Sequence, residues 1–215
     1  MGCECVTKID TPKIISPDDY ANVIFVNSIV DRDIVTVESN KIPLLHKVHY
    51  AATENSYQKV YSGDSFFNLV DNNKSNLINI PVNLDKFTYS TIILYGRRYS
   101  IKAKILNDSI ELLGATNALI RIVHTSIDAP EVQFRLKGKS DSTFNLKFQS
   151  NTHLFSIEPG EYSIDAVDMH NGEVISSSRV FNVNKSSIIN AVLKGTINSL
   201  PDKPLIIDII STVIE

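Results

Sequence analysis

Residues 21–28 read Ala-Asn-Val-Ile-Phe-Val-Asn-Ser, and residues 118–125 read Ala-Leu-Ile-Arg-Ile-Val-His-Thr. At the same offset of 97, Asp31 corresponds to Asp128 and Gly63 to Gly160; a shift of two further residues aligns 93–96 with 192–195. Self-similarity over such widely spaced positions indicates a duplicated unit. We predict two repeats, at 20–109 and 115–215, after an N-terminal tether at 1–19. The alternative is two unrelated stretches that share only an alternating pattern.

The composition favours strands over helices. The 215 residues include 28 Ile and 18 Val but only 9 Ala, and β-branched side chains fit a pleated sheet better than a helix. In each repeat, short apolar or alternating stretches are separated by turn signals such as Pro159-Gly160 and Asn171-Gly172. About seven or eight strands at this spacing are typical of a sandwich or a barrel. The joint at 107–116 is short and apolar, so we expect the two domains to touch.

Residues 121–134 read Arg-Ile-Val-His-Thr-Ser-Ile-Asp-Ala-Pro-Glu-Val-Gln-Phe. This stretch resembles the signature Val-Arg-Phe-Val-His-Ala-Ser-Pro-Asp-Ala-Pro-Ala-Val-Asp-Val of a bacterial repeat family catalogued as domain of unknown function 4397. Residues 157–162 resemble that family's Leu-Pro-Ala-Gly-Thr-Tyr element. The sequence departs from the signature at Ile127, where the family has Pro, and at Gln133, where it has Asp.

The resemblance covers the second repeat and, weakly, the first, which keeps only Asp31 of the motif. It implies immunoglobulin-like sandwiches, often in tandem, on secreted or lipid-anchored envelope proteins, and no known catalysis. We therefore expect an all-β protein built from two tandem immunoglobulin-like antiparallel β-sandwich domains.

The polar cluster that most suggests a chemical function is the turn that contains His124, Ser126, Asp128 and Pro130. A His near an Asp is one arrangement for a general base and the carboxylate that orients it. The structural interpretation is that Asp128 bonds the backbone N–H groups of its own turn, Pro130 fixes φ, and His124 caps a strand edge or bonds that turn. We favour the structural role, because Asp31 is retained in the first repeat where the His is not.

Other chemistry has weaker support. His46 and His49 would face opposite sides of a strand and could not bind one metal ion together. Residues 71–82 lack the glycine and the closing acid of a calcium loop. Asp165, Asp168 and His170 do not converge on one point. No nucleophile elbow or phosphate-binding loop occurs, and we assign the pair Arg97-Arg98 to a solvated loop. We expect no metal, no cofactor and no enzymatic activity. The net charge of −3 argues against a nucleic-acid partner.

The N-terminus bears on localisation. Gly2-Cys3, followed by a polar stretch, resembles the end of a bacterial lipoprotein signal, so we predict Cys3 as a lipid attachment site. The body of the chain contains no further Cys beyond Cys5, which fits export through an oxidising compartment. We expect a lipid-anchored protein of the cell envelope, outer membrane or cell surface. The alternatives are a eukaryotic acylation start, and a cytoplasmic protein if Met1 is the native start.

Three classes of function remain. The first is a non-catalytic envelope or surface lipoprotein that binds or scaffolds an extracellular protein or glycan. The second is a structural subunit of a surface assembly that uses edge-strand pairing. The third is an enzyme with a hidden site. We favour the first, with the membrane contacted only through the N-terminal lipid and the oligomeric state left open.

Overall fold

The computed structural model describes residues 19–39, 45–50, 56–97, 99–108, 111, 116–198 and 203–213. In the first half, the strands are β1 (Tyr20–Ile29), β2 (Ile34–Ser39), β3 (Leu45–His49), β4 (Gln58–Tyr61), β5 (Gly63–Val70), β6 (Asn76–Leu84), β7 (Tyr89–Gly96) and β8 (Lys102–Asn107).

In the second half, they are β9 (Ala118–His124), β10 (Val132–Lys137), β11 (Ser142–Leu146), β12 (Phe155–Ile157), β13 (Gly160–Asp168), β14 (Val174–Ser177), β15 (Phe181–Val183), β16 (Ser187–Lys194) and β17 (Ile206–Val213). Within these described residues, no helix is long and apolar enough to span a membrane.

Each half folds into two sheets with the same strand order. The first half forms sheets β4-β1-β7-β8 and β3-β2-β5-β6, and the second forms β12-β9-β16-β17 and β11-β10-β13-β14, with β15 also paired to β13. The protein is therefore all-β and built from β-sandwiches. Among the described strands, pairing is antiparallel except between β1 and β7 and between β9 and β16, which are parallel. Antiparallel pairing was expected throughout, and one parallel pair in each half departs from it.

The strand registers carry the offset seen in the sequence. Ala21 pairs with Val60 in the first half, and Ala118 pairs with Ile157 in the second. Across the parallel pairs, Val23 lies opposite Ser90 and Ile120 opposite Ile189, so the shift of two residues before β7 is also preserved.

One predicted strand differs in the structure. The stretch 174–183 looks continuous in the sequence, but it is divided into β14 and β15. At the break, Ser178 replaces strand pairing with its own bonds: its N–H donates to Ile164 O, and its Oγ accepts from Ile164 N, both at 2.8 Å. Val180 consequently points outward and is 67% exposed.

Each sandwich has its own apolar core, and a third apolar cluster joins them. That cluster comprises Ile24, Val26, Ile93, Leu106, Val123, Val192 and Ile210. All seven lie in the sheets that contain β1 and β9, so these two sheets pack against each other and the molecule is a stack of four sheets. This explains why β9 and β16 are buried along their whole length, since a strand covered on both faces carries no polar alternation.

The two halves are related by a pseudo-two-fold axis. Ser28 Oγ lies 2.6 Å from Thr125 Oγ1, and Asn190 Nδ2 donates to Thr91 Oγ1 at 3.0 Å. Each pair joins equivalent positions of the two repeats. Contact between equivalent residues is the mark of an isologous, two-fold interface, here formed within one chain.

Candidate functional site

The signature turn begins where β9 ends. His124 is fully buried, and its Nε2 lies 3.1 Å from Pro130 O. Because a carbonyl only accepts, this contact assigns the ring proton to Nε2. Burial lowers the pKa of His124 and so favours the neutral ring. Its edge packs against Phe134 and Phe148, and Nδ1 has no hydrogen-bond partner among the described residues.

Asp128 ties the signature turn to a distant loop. Its carboxylate accepts from Ile197 N at 3.0 Å and Asn198 N at 3.3 Å, and Ser126 Oγ lies 3.5 Å away. Ser126 Oγ also donates to Gly195 O at 2.8 Å. We expected Asp128 to bond N–H groups of its own turn; these two N–H groups belong to the loop after β16. The turn thus joins two strand ends that are remote in sequence.

In the first half, Asp31 lies in the corresponding turn after β1, half-buried. Asn27, which occupies the position of His124, donates from Nδ2 to Arg32 O and Val48 O and accepts from Ile29 N. The buried polar side chain at the strand end therefore closes a turn in both repeats.

A buried ion pair lies between the sandwiches. Arg121 Nη2 pairs with Asp108 Oδ1, and the guanidinium also donates to Asn190 Oδ1. The other carboxylate oxygen of Asp108 accepts from Thr91 Oγ1 at 2.6 Å and Tyr57 OH at 2.9 Å. Arg121 and Asp108 are 4% and 1% exposed. Burial lowers the pKa of Arg121 and raises that of Tyr57.

Sequence reasoning missed this network. Its signal was present: Arg121 is the one charged residue in the otherwise apolar stretch 118–123, and a charge in a doubly covered strand needs a partner. The partner, Asp108, lies in the joint between the repeats, so only the fold reveals the pairing.

A second polar cluster surrounds Tyr50, which follows β3 and contacts Lys194, the last residue of β16. Lys194 Nζ lies 4.5 Å and Lys203 Nζ 3.9 Å from the centroid of the Tyr50 ring. Each ammonium has a carboxylate: Lys194 pairs with Asp208 at 2.5 Å, and Lys203 pairs with Asp33. Burial lowers the pKa of Lys194, and the hydrogen bond from Lys203 lowers that of Asp33.

The pseudo-two-fold axis relates this cluster to an open pocket at the end of β7, where Tyr95 takes the place of Lys194. We call this pocket the interdomain cleft; its volume is about 230 Å³. Its lining includes Tyr95, Arg97 and Lys102 from the first half and Ile127, Phe148 and Gln149 from the second.

The two halves hold each other firmly at the interdomain cleft. Lys104 Nζ donates to Gln149 O at 2.8 Å across the junction, and Tyr95 meets Phe148 edge to face at 6.0 Å. Burial lowers the pKa of Lys104 and raises that of Tyr95. The cleft combines an aromatic floor with a cationic rim, an arrangement suited to binding an anionic group.

The remaining candidates from the sequence occupy separate places. Asp71 Oδ1 accepts from Asn73 N and Ser75 N, both at 2.9 Å, as in a polar hairpin tip. Asp165 bonds Lys137 and Ser177. The described residues include no group of three or more His, Cys, Asp or Glu that could hold a metal ion. Cys3, Arg98 and the side chain of His46 lie outside the described parts of the structure.

A family model described as a domain of unknown function (DUF4397) matches residues 21–135. The matched range is more than half of the chain. The protein belongs to the DUF4397 family. The DUF4397 match spans the whole first repeat and the 121–134 motif, whereas the sequence suggested that the resemblance would be weak in the first repeat and would cover the second.

Among solved structures, the Bacillus anthracis TIE protein is similar over 83% of this chain, with 9% identity and a TM-score of 0.30. This chain spans 34% of that protein's chain. A likeness at that TM-score carries no argument about fold or function. Comparison with curated proteins yields no match.

Proposed function

We propose that this DUF4397 protein is a non-catalytic envelope or surface lipoprotein that binds an extracellular partner, with the interdomain cleft as its binding site. The observation that carries the proposal is the open cleft between two sandwiches whose relative position is fixed by buried contacts. A site built across a rigid junction is held ready for its ligand, and pre-organisation of this kind lowers the cost of binding.

His124 and Asp128, the pair that most resembles a catalytic base and its carboxylate, both make structural contacts. A general base must come within hydrogen-bond reach of its substrate. His124 is buried and bonded to Pro130 O, while Asp128 holds the loop at Ile197. These contacts support a binding role over catalysis at the signature turn.

The length of β1 separates the predicted tether from the cleft. The predicted tether precedes Tyr20, the first residue of β1, whereas Gly96 beside the cleft lies opposite Ile29 at the other end of that strand. Ten strand residues span about 33 Å. The cleft therefore lies about one strand length from Tyr20, the residue that the predicted tether precedes.

The anchor is tested in cells that produce the native precursor. The wild-type protein and a Cys3→Ser variant are compared by membrane fractionation and by metabolic labelling with a palmitate analogue. We expect label and membrane association for the wild type only, and Cys5→Ser serves as the matched control that keeps both. Unlabelled, soluble wild-type protein contradicts the anchored role.

Binding is tested with the purified chain on protein and glycan arrays. We expect a ligand whose signal falls when Phe148 is replaced by Ala and is kept when the exposed Phe87, remote from the cleft, is replaced in the same way. Equal loss from both variants, or no ligand of either class, argues against the cleft as the binding site.

A second candidate function is a subunit of a surface assembly that uses strand addition. β17 is the last strand of its sheet, and a groove of about 570 Å³ beside it is lined in part by Val180, Phe181, Ile206 and Ile209. An exposed strand edge next to apolar side chains is a template for pairing with another chain. Light scattering over a range of concentrations separates the two functions, since a monomer supports the binder and growing polymers support the subunit.

A further inference from the structure

The interdomain cleft has a cationic rim without counter-charges. Arg97 and Lys102 are both exposed, and neither forms an ion pair within the described parts of the chain, where the salt bridges involve other residues. The lining contains no carboxylate. In a protein of net charge −3, two uncompensated cations at one opening favour an anionic occupant.

The pseudo-equivalent junction indicates what is missing from the cleft. Around Tyr50, the chain itself supplies two cations and a carboxylate for each, Asp208 for Lys194 and Asp33 for Lys203. The cleft also has an aromatic surface, but its two cations, Arg97 and Lys102, stand at other positions than Lys194 and Lys203, and its lining has no carboxylate. A carboxylate that arrives with a ligand would supply the missing counter-charge.

The floor of the cleft suits a compact ring. Phe148 is 37% exposed, and its ring is held by edge contacts to Tyr95 and His124, so its accessible surface is rigid. A volume of about 230 Å³ lies below the range of roughly 300–1,000 Å³ that accommodates drug-sized ligands. The space therefore fits one ring-sized group and excludes a long folded segment.

Strand geometry disfavours a peptide in the cleft. At the end of β7, Tyr95 is paired with Ser28 on one side and with Lys102 on the other. Strand addition needs a free backbone edge, and β7 offers none there. The polar groups that remain are side chains such as Gln149, which suit the hydroxyl groups of a sugar.

We infer that the interdomain cleft binds an acidic sugar unit of a glycan, with the sugar ring on Phe148 and its carboxylate between Arg97 and Lys102. This inference rests on the proposed binding function and specifies its ligand class. The inference also gives Arg97 a binding role, whereas the sequence analysis assigned it, with Arg98, to a solvated loop.

The test is calorimetric titration of the purified chain with tetragalacturonate at low salt. We expect saturable binding that is about tenfold weaker in Arg97→Ala and in Lys102→Ala, since each variant removes a charge-assisted hydrogen bond. Lys185→Ala is the matched control, because Lys185 is exposed and lies far from the cleft. Its neighbour Ser186 donates its N–H to Asn117 O, just before β9 begins. His124, on the side of the cleft, is at the other end of β9. Unchanged urea midpoints show that the variants are folded.

Several outcomes overturn the inference while leaving the proposed function intact. These are equal affinity for an uncharged galactose oligomer, unchanged affinity in both rim variants, and binding of a poly-glutamate peptide with the same dependence on Arg97. Absence of tetragalacturonate binding, together with a different ligand on the arrays, also rejects the acidic sugar alone. Absence of any ligand on the arrays rejects the proposed function as well.

Discussion

Replacement of Arg121 by Met tests whether the buried ion pair stabilises the stack of sandwiches. Methionine keeps much of the unbranched stem of arginine but removes the guanidinium. Asp108 would then lose its partner at Oδ1 while Oδ2 still accepts from Thr91 and Tyr57. The variant would leave a carboxylate that is 1% exposed without a counter-charge.

The expected cost is large because the remaining charge cannot reach water. Removing one partner of a buried ion pair destabilises a protein by about 3–5 kcal/mol. Loss of an exposed ion pair costs about 0–1 kcal/mol, and Lys137→Met provides that control, since Lys137 pairs with Asp165 with its side chain 56% exposed. Replacing both partners, in Arg121→Met with Asp108→Asn, removes the buried charge and should recover at least half of the loss.

Urea unfolding at pH 7.5, followed by circular dichroism, measures the free energy of unfolding of the four proteins. A penalty for Arg121→Met within 1 kcal/mol of that for Lys137→Met would refute the stabilising role of the pair.

Three further predictions follow from the turns. Asp128→Ala leaves two loop N–H groups without their acceptor and should lower the free energy of unfolding by about 1–3 kcal/mol; an unchanged melting temperature with lost ligand binding would instead make Asp128 a binding residue. Burial lowers the pKa of His124, so on acidification the unfolded chain binds a proton before the folded protein does. The contribution of His124 to stability is therefore complete above the unfolded pKa and is lost as the pH falls below about 6.5. The limiting slope is about 1.4 kcal/mol per pH unit. His124→Phe should flatten this dependence in melts between pH 5 and 7.5, and an unchanged slope would contradict the assignment. Gly96→Ala should cost more than Gly172→Ala in urea unfolding: both glycines have positive φ, at 108° and 74°, but only at Gly96 does an added Cβ meet backbone, the carbonyl of Ser100. Equal costs would show that the close approach is absent.

The duplicated pattern could be predicted from sequence because it is local. Alternation and turn residues are properties of short stretches, and the offset of 97 only compares one such stretch with another. These patterns were sufficient for an all-β sandwich fold. The break between β14 and β15 was not predictable, because it depends on Ser178 bonding a neighbouring strand at Ile164.

The sequence by itself determined the all-β sandwich fold class, since strand propensity and turn chemistry act between near neighbours. Only the tertiary structure decided that the two sandwiches stack through β1 and β9, that Arg121 meets Asp108, and that a cleft opens beside Phe148. These features join residues brought together by the pseudo-two-fold packing of two sheets. Packing of one sheet face on another depends on the shapes of both surfaces, and no pattern within a single strand encodes it.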